Sequence, residues 1–255
     1  MHILVTSAGS HLAQRVIQAL APEHDVRATE RAPLASGASG RGAAHGRGLA
    51  TAPGARPQGQ AEVAFALSPL GHDLSTNLLV RGVDVVIHCA EPLPDETPES
   101  YLDYCTRCTY NLLMAASQEG VKRVIYLSTL ALMTPYPADY VVTERWQPLP
   151  TTDPLVLGKH LGESVCREFA REFKVPVLAL RLGSPSDGAD SETALVDDDL
   201  AHVILQALQA EVPRWSVVHV QSEFDGARFP VGDAKRLLGF VPGDVSQLAG
   251  SEVNE

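Results

Sequence analysis

Three features of the sequence predict an α/β fold built on a doubly wound parallel sheet. Short apolar runs alternate with amphipathic helical patterns at least five times, as right-handed parallel crossovers require. One run, GVDVVIHCA, is continuously apolar, which suits a strand buried on both faces. The first strand ends in a turn of small residues that opens directly into a helix.

The elements follow in order. HILVTS is a β-branched run, and HLAQRVIQAL after it sets Leu12, Val16, Ile17 and Leu20 on one helical face. HDVRATE and AEVAFAL read as the second and third strands, and GVDVVIHCA as the next. Residues 100–119 have the spacing of a helix, with Tyr101, Leu102, Cys105, Cys108, Leu112 and Leu113 near one stripe. VKRVIYLST is a strand; LGKHLGESVCREFAREF is a helix with Leu161, Val165, Phe169 and Phe173 at i, i+4 intervals. VPVLALRLG, a helix at about 198–210, the strand WSVVHV and the short helix GDAKRLLGF complete the chain. No internal repeat is visible.

Composition narrows the function classes. The 255 residues are 45% hydrophobic and 20% charged, enough for a substantial core in one domain spanning 1–255. No run approaches the roughly 20 apolar residues of a membrane span, and MHILVTSAG enters a strand at once, without the basic and apolar regions of a signal peptide. A net charge of -11 argues against general binding to nucleic acid or a membrane surface. The four cysteines show neither disulfide-framework nor zinc-knuckle spacing, so no metal site is expected and a reducing, cytoplasmic setting fits. Residues 31–60 are an exception in charge. They hold Arg31, Arg41, Arg47 and Arg56 and no acid, and their Gly, Ala and Pro content predicts a flexible, protease-sensitive loop.

A small-residue turn between a first strand and its helix is where a doubly wound fold receives dinucleotide phosphates, on backbone N–H groups and the positive helix end. Here the turn is TSAGSHLA, which brings Thr6, Ser7, Ser10, His11, Leu12 and Ala13 to the phosphate position. Lined up in order, VTSAGSHLAQRVIQAL, VDVVIHCAEP, TYNLLMAASQEGVKRVIYLST, VTERWQPLPTTDPLVLGKHLGES and VPVLALRLGSP resemble successive segments of the extended short-chain dehydrogenase/reductase family, the NAD-dependent epimerase/dehydratases. VDDDLAHVILQAL and GDAKRLLGFVP are similar to that family's C-terminal pieces. The resemblance spans nearly the whole chain outside 31–60 and implies a Rossmann-like fold that binds NAD or NADP.

The resemblance also exposes departures. The family's three glycine positions hold Ser7, Ser10 and Ala13, each adding atoms where backbone approaches the pyrophosphate. Glu30 falls where the family's acid bonds the adenosine ribose, which favours NAD over NADP; the bare alternative is a strand-end acid beside Arg31. HCAE resembles the family's His-x-Ala-Ala turn, making His88 and Ala90 candidate lining residues, although a satisfied core histidine reads equally well. Cys105 and Cys108 occupy the Asn-x-x-Gly positions and read as core packing.

The catalytic pattern implied by the family is a Ser or Thr with Tyr-x-x-x-Lys. Thr129 matches the hydroxyl and Lys159 the lysine, which also belongs to the cofactor set. The tyrosine position holds Leu155, which has no proton to exchange; Tyr136 and Tyr140 are the nearest substitutes, without a positional match. From RLGSP to VDDDL the chain is short, which implies a reduced substrate lobe over 184–255. Two functions compete. One is a binding protein, a pseudoenzyme that senses a nucleotide or supports a partner. The other is an active epimerase, dehydratase or reductase on a sugar or nucleotide-sugar, using Thr129 and Lys159 with another proton donor. The family also implies a homodimer through the helices at 100–119 and 159–173, where Tyr101, Tyr104, Leu161 and Val165 exceed what one sheet-facing stripe needs.

Overall fold

The computed structural model describes residues 1–32, 63–185, 193–224 and 226–243. From residue 33 onward, the loop expected over 31–60, with Arg41, Arg47 and Arg56, lies outside the described residues; so do 186–192, 225 and 244–255 of the expected C-terminal lobe.

Strand β1 (His2–Val5) leads to helix α1 (His11–Leu20), then β2 (Asp25–Glu30), β3 (Ala64–Leu67), α2 (Leu74–Val80) and β4 (Val85–His88). Next come α3 (Pro98–Asp103), a π-helical turn (Tyr104–Cys108) and α4 (Thr109–Gln118) in continuous succession, then β5 (Arg123–Thr129) and a 3₁₀ turn (Leu130–Leu132). The chain proceeds through α5 (Pro154–Arg171), β6 (Val177–Leu182), the two-residue strands β7 (Ser184–Pro185) and β8 (Ala194–Leu195), α6 (Asp197–Gln209), β9 (Trp215–Val220) and α7 (Gly232–Leu238). Seven strands form one sheet in the order β3-β2-β1-β4-β5-β6-β9, every neighbour parallel. The order reverses between β1 and β4, the point at which sheets of this kind place a crevice beyond the C-terminal strand ends.

Alternating side chains divide between two apolar layers. Ile3, Val5, Ile87, Ile125, Leu127, Leu178 and Leu180 pack beneath α1, α6 and α7. Leu4, Val86, Val124, Tyr126 and Val177 face the α3–α5 side. A third cluster, Leu130, Leu132, Met133, Val142 and Phe229, ties the chain after β5 to the segment after β9.

Helix α5 corrects the stripe expected from its sequence. Its buried face is Gly158, Gly162, Cys166 and Ala170 with Lys159, Glu163 and Phe169, while Leu161 and Val165 are half-buried and Phe173 is exposed. The glycines let the helix backbone approach its neighbours closely. A Cβ on Gly158 would lie 2.6 Å from Tyr101, and one on Gly162 would meet the Tyr126 hydroxyl and stand 3.1 Å from the Cys105 carbonyl. Tyr101 is buried against this face, and Tyr104 is buried among Ser7, His88 and Arg31, rather than presented outward. No described helix is long and apolar enough to cross a membrane.

Candidate active site

The turn after β1 carries Ser7 in the left-handed region at φ +55, a position natural to glycine and strained by about 1–2 kcal/mol for other residues. Its hydroxyl accepts the Glu91 amide at 3.1 Å and bonds the Tyr104 hydroxyl at 2.9 Å, tying the turn to the chain after β4. Ala90, in that partner segment, is also left-handed at φ +50. Ser10 caps α1, its hydroxyl accepting the Ala13 amide at 3.1 Å. The first-turn amides of His11 and Leu12 have no intrahelical partner, and the positive helix end faces the crevice. Ala13 is buried in the core against the sheet, where its methyl packs α1 down.

Glu30, at the end of β2, is buried; one carboxylate oxygen accepts the Gly9 amide at 2.9 Å and the other the Arg31 amide at 2.8 Å. The Arg31 guanidinium lies 3.5 Å above the Tyr104 ring and forms a two-pronged ion pair with Glu96 at 2.6 and 2.8 Å. Burial, the largest single influence, opposes its charge, but hydrogen bonding to Glu96 and the electrostatic influence of Tyr104, Glu96 and Glu30 together outweigh it and raise its pKa above the ordinary arginine value.

Thr6 and His88 are fully buried and bonded to each other at 2.8 Å through His88 Nδ1. Thr109 spends its one proton on the Tyr104 carbonyl and so accepts from Nε2 at 2.9 Å; in the neutral ring Nδ1 then accepts from Thr6, whose oxygen also takes the Cys89 amide. The chain of bonds has one consistent arrangement, with the neutral ring protonated at Nε2. Burial, reinforced by the charges of Lys159 and Arg31, pushes the His88 pKa down to about 3.

Lys159 is held on α5 by the Asp153 cap, whose carboxylate accepts the Leu155 and Val156 amides, with Pro154 in the first turn. Only 2% of it is exposed. An ammonium has three N–H donors, and this one meets three protein acceptors: the Cys89 carbonyl at 2.5 Å, Glu91 Oε1 at 2.6 Å and the Leu127 carbonyl at 2.9 Å. Thr129, half-buried, accepts the Ala131 amide at 3.1 Å. Leu155, one turn before Lys159, is 44% exposed. The two spare tyrosines lie elsewhere in the loop. Tyr136 donates to the Gln147 carbonyl at 2.8 Å and stacks edge-on against Trp146, and Tyr140 leans on the same indole from outside.

Sequence reasoning placed Ser7, Ala90 and Lys159 around one crevice, and the structure brings them together. It did not find Glu91, Arg31 with Glu96, or Tyr104, although an acid directly after HCA was a visible signal for Glu91. It also missed a buried polar row, Ser128, Arg181 and His219, which are register neighbours across β5, β6 and β9. Glu163 from α5 accepts Ser128 at 2.8 Å and both prongs of Arg181 at 2.6 and 3.1 Å. His219 is fully buried with neither ring nitrogen bonded among the described residues, and burial takes its pKa down to about 3. Cys105 and Cys108 are buried, free thiols.

On the β1–β2 side, the α1 amides and the strand-end carboxylate of Glu30 match a diphosphate followed by a ribose. On the β4–β5 side, Lys159 has no N–H to offer, and its neighbour at 155 is apolar.

The model of the NAD dependent epimerase/dehydratase family matches residues 7–241. No curated protein matches the sequence. Glucuronic acid dehydrogenase from Chromohalobacter salexigens superposes with a TM-score of 0.76 at 22% identity, over 99% of this chain and 88% of that one. A mutant uronate dehydrogenase from Agrobacterium tumefaciens, complexed with NAD, gives 0.76 at 21% identity over 97% and 87%. UDP-glucuronic acid 4-epimerase from Bacillus cereus, in complex with NAD, gives 0.67 at 18% identity over 95% and 94%. At these identities the structural likeness establishes the doubly wound fold. With the sequence match running across all but the two ends of the chain, this protein belongs to the NAD dependent epimerase/dehydratase family.

Proposed function

We propose that this chain is a nucleotide-binding member of its family that carries out no tyrosine-dependent hydride transfer. The observation that carries this reading is the saturation of Lys159: its three donors are spent on Cys89, Glu91 and Leu127, and Leu155 stands where a phenol would need that ammonium. A lysine lowers the pKa of a neighbouring phenol only when its charge is available to the phenolate. When bound, NAD(P) would supply hydride chemistry; the turn at Ser7 and Ser10 with the amides of His11 and Leu12 would hold its diphosphate and Glu30 its ribose, while Ala13 packs α1 against the sheet beneath them. The carboxylate of Glu30 favours NAD, since a 2′-phosphate beside it is repelled.

The structural likeness to uronate dehydrogenases supports a second reading, an active enzyme on a uronic acid or nucleotide-sugar that uses Thr129 and Lys159 with a different proton acceptor. One experiment separates the two. Purified protein is titrated with NAD and NADP by calorimetry, and NAD(P)H formation is followed across a panel of uronic acids and UDP-sugars. Binding of NAD with no turnover is the expected result. Turnover on the order of 1–10³ s⁻¹ overturns the binding-protein reading, and absence of binding by either dinucleotide overturns both.

Oligomeric state and setting belong to the same proposal. The outward stripe of α4 and α5, with Tyr110 exposed and Leu161 and Val165 half-buried, supports a homodimer through this face; the expected mass is twice 27.3 kDa by light scattering. Both large apolar layers share one sheet, which supports a single nucleotide-binding unit. Four free, buried thiols suit a reducing, cytoplasmic compartment.

A further inference from the structure

We infer that the ligand this crevice selects is a nucleoside diphosphate, and that Glu91 fills the place of the second nucleotide. The inference rests on the nucleotide-binding reading above and specifies its ligand. Doubly wound sheets accept a dinucleotide as two halves, one on each side of the point where strand order reverses. Here the β1–β2 half keeps the helix end and the strand-end acid. In the β4–β5 half the carboxylate of Glu91 sits on Lys159 at 2.6 Å, between two carbonyls that take the other two N–H groups.

Glu91 is held there by the departures from the family pattern themselves. The Ser7 hydroxyl, absent from a glycine, accepts the Glu91 amide at 3.1 Å. Arg31 donates to the Glu91 carbonyl at 3.2 Å while it is itself locked by Glu96. The backbone of residue 91 is therefore pinned from two sides, and its side chain, 22% exposed, reaches the ammonium. A second nucleotide would have to break a short ion pair to a lysine that is 97% buried at its side chain, with no free donor offered in return. A diphosphate ending at the α1 amides meets no such demand.

The test is calorimetric titration of the full-length protein with ADP, ADP-ribose and NAD, repeated on Glu91→Ala and Ser7→Gly, with thermal midpoints recorded for each. Ser7→Gly also relieves a left-handed serine, so this variant folds even if Glu91→Ala does not. Wild type is expected to bind ADP and ADP-ribose within about threefold of NAD. Either variant is expected to raise NAD affinity relative to ADP by about tenfold, the scale of one charge-assisted hydrogen bond. Wild-type affinity for NAD more than about tenfold above ADP-ribose, or a NAD-to-ADP ratio unchanged in both variants, overturns the assignment of Glu91 while leaving nucleotide binding intact. Failure of all three ligands to bind wild type overturns both.

Discussion

Two buried histidines set how this protein responds to acid. His88 and His219 are both fully buried, and burial takes each from an ordinary pKa of 6.5 to about 3. The folded state therefore binds fewer protons than the unfolded chain at every pH between those values. Stability is complete above pH 6.5 and is lost as pH falls toward 3. At pH 5 each histidine is 1.5 units below its unfolded pKa, and at 1.36 kcal/mol per unit each costs about 2 kcal/mol relative to pH 7.5. The pair removes about 4 kcal/mol, a large share of the roughly 5–15 kcal/mol typical of a folded protein. His160, also lowered by burial, acts with the same sign. Glu144, raised by burial, acts with the opposite sign close to its own titration. Urea unfolding at pH 7.5 and pH 5.0 measures the difference directly. In His219→Leu no hydrogen bond of the ring is lost, since neither nitrogen is bonded among the described residues, and about half of the acid sensitivity should disappear. A wild-type loss under about 1 kcal/mol, or an undiminished loss in His219→Leu, would refute the buried neutral rings.

Other expectations follow from the same geometry. Gly162→Ala forces a methyl against the Tyr126 hydroxyl, which itself donates to the Lys159 carbonyl at 3.1 Å; overpacking of about 2 kcal/mol should lower the melting temperature by about 5 °C in calorimetry. An unchanged melting temperature would show that α5 packs less closely than described. Leu155→Tyr alone should yield no NADH with uronic acids or UDP-sugars, because Lys159 stays committed to Glu91; activity from this single change would show that the ion pair is no obstacle. The four thiols are buried, and burial raises their pKa values, Cys105 to about 11. Native protein at pH 8 should not react with a disulfide reagent, whereas unfolded protein should release four equivalents; a fast native thiol would contradict the packing.

The strands were legible because their chemistry is local. Burial on both faces demands apolar side chains at consecutive positions, and VVIH and VLALRL supply them almost without interruption. Helix α2 went unseen because it is one short stretch, LSTNLLV, with Leu74 and Leu78 exposed, so its apolar residues do not form one inward stripe. On α5 the i, i+4 series runs along the edge of the buried face, with Phe169 buried, Leu161 and Val165 half-buried and Phe173, beyond the helix, exposed. The inward side is built from Gly158, Gly162, Cys166 and Ala170, which carry little apolar surface and contribute by letting backbones meet. The site was harder still. Lys159 and Glu91 are 68 positions apart and Arg31 and Glu96 are 65 apart, so only the crossover topology makes them neighbours.

That neighbourhood changes what the retained lysine means. A lysine in the family's position suggests catalysis when only the sequence is read, yet a buried ammonium must first be satisfied. Lys159 bridges the ends of β4 and β5 through the Cys89 and Leu127 carbonyls, a structural task independent of any reaction. Leucine at 155 can give its third N–H no acceptor, and Glu91 supplies one together with the opposite charge. Ser7 in turn gives the amide of Glu91 its partner. Ser7, Glu91 and Lys159 are thus parts of one hydrogen-bonded arrangement that keeps a buried cation neutralised. On the binding-protein reading proposed above, burial and these three acceptors are reason enough for a lysine at 159.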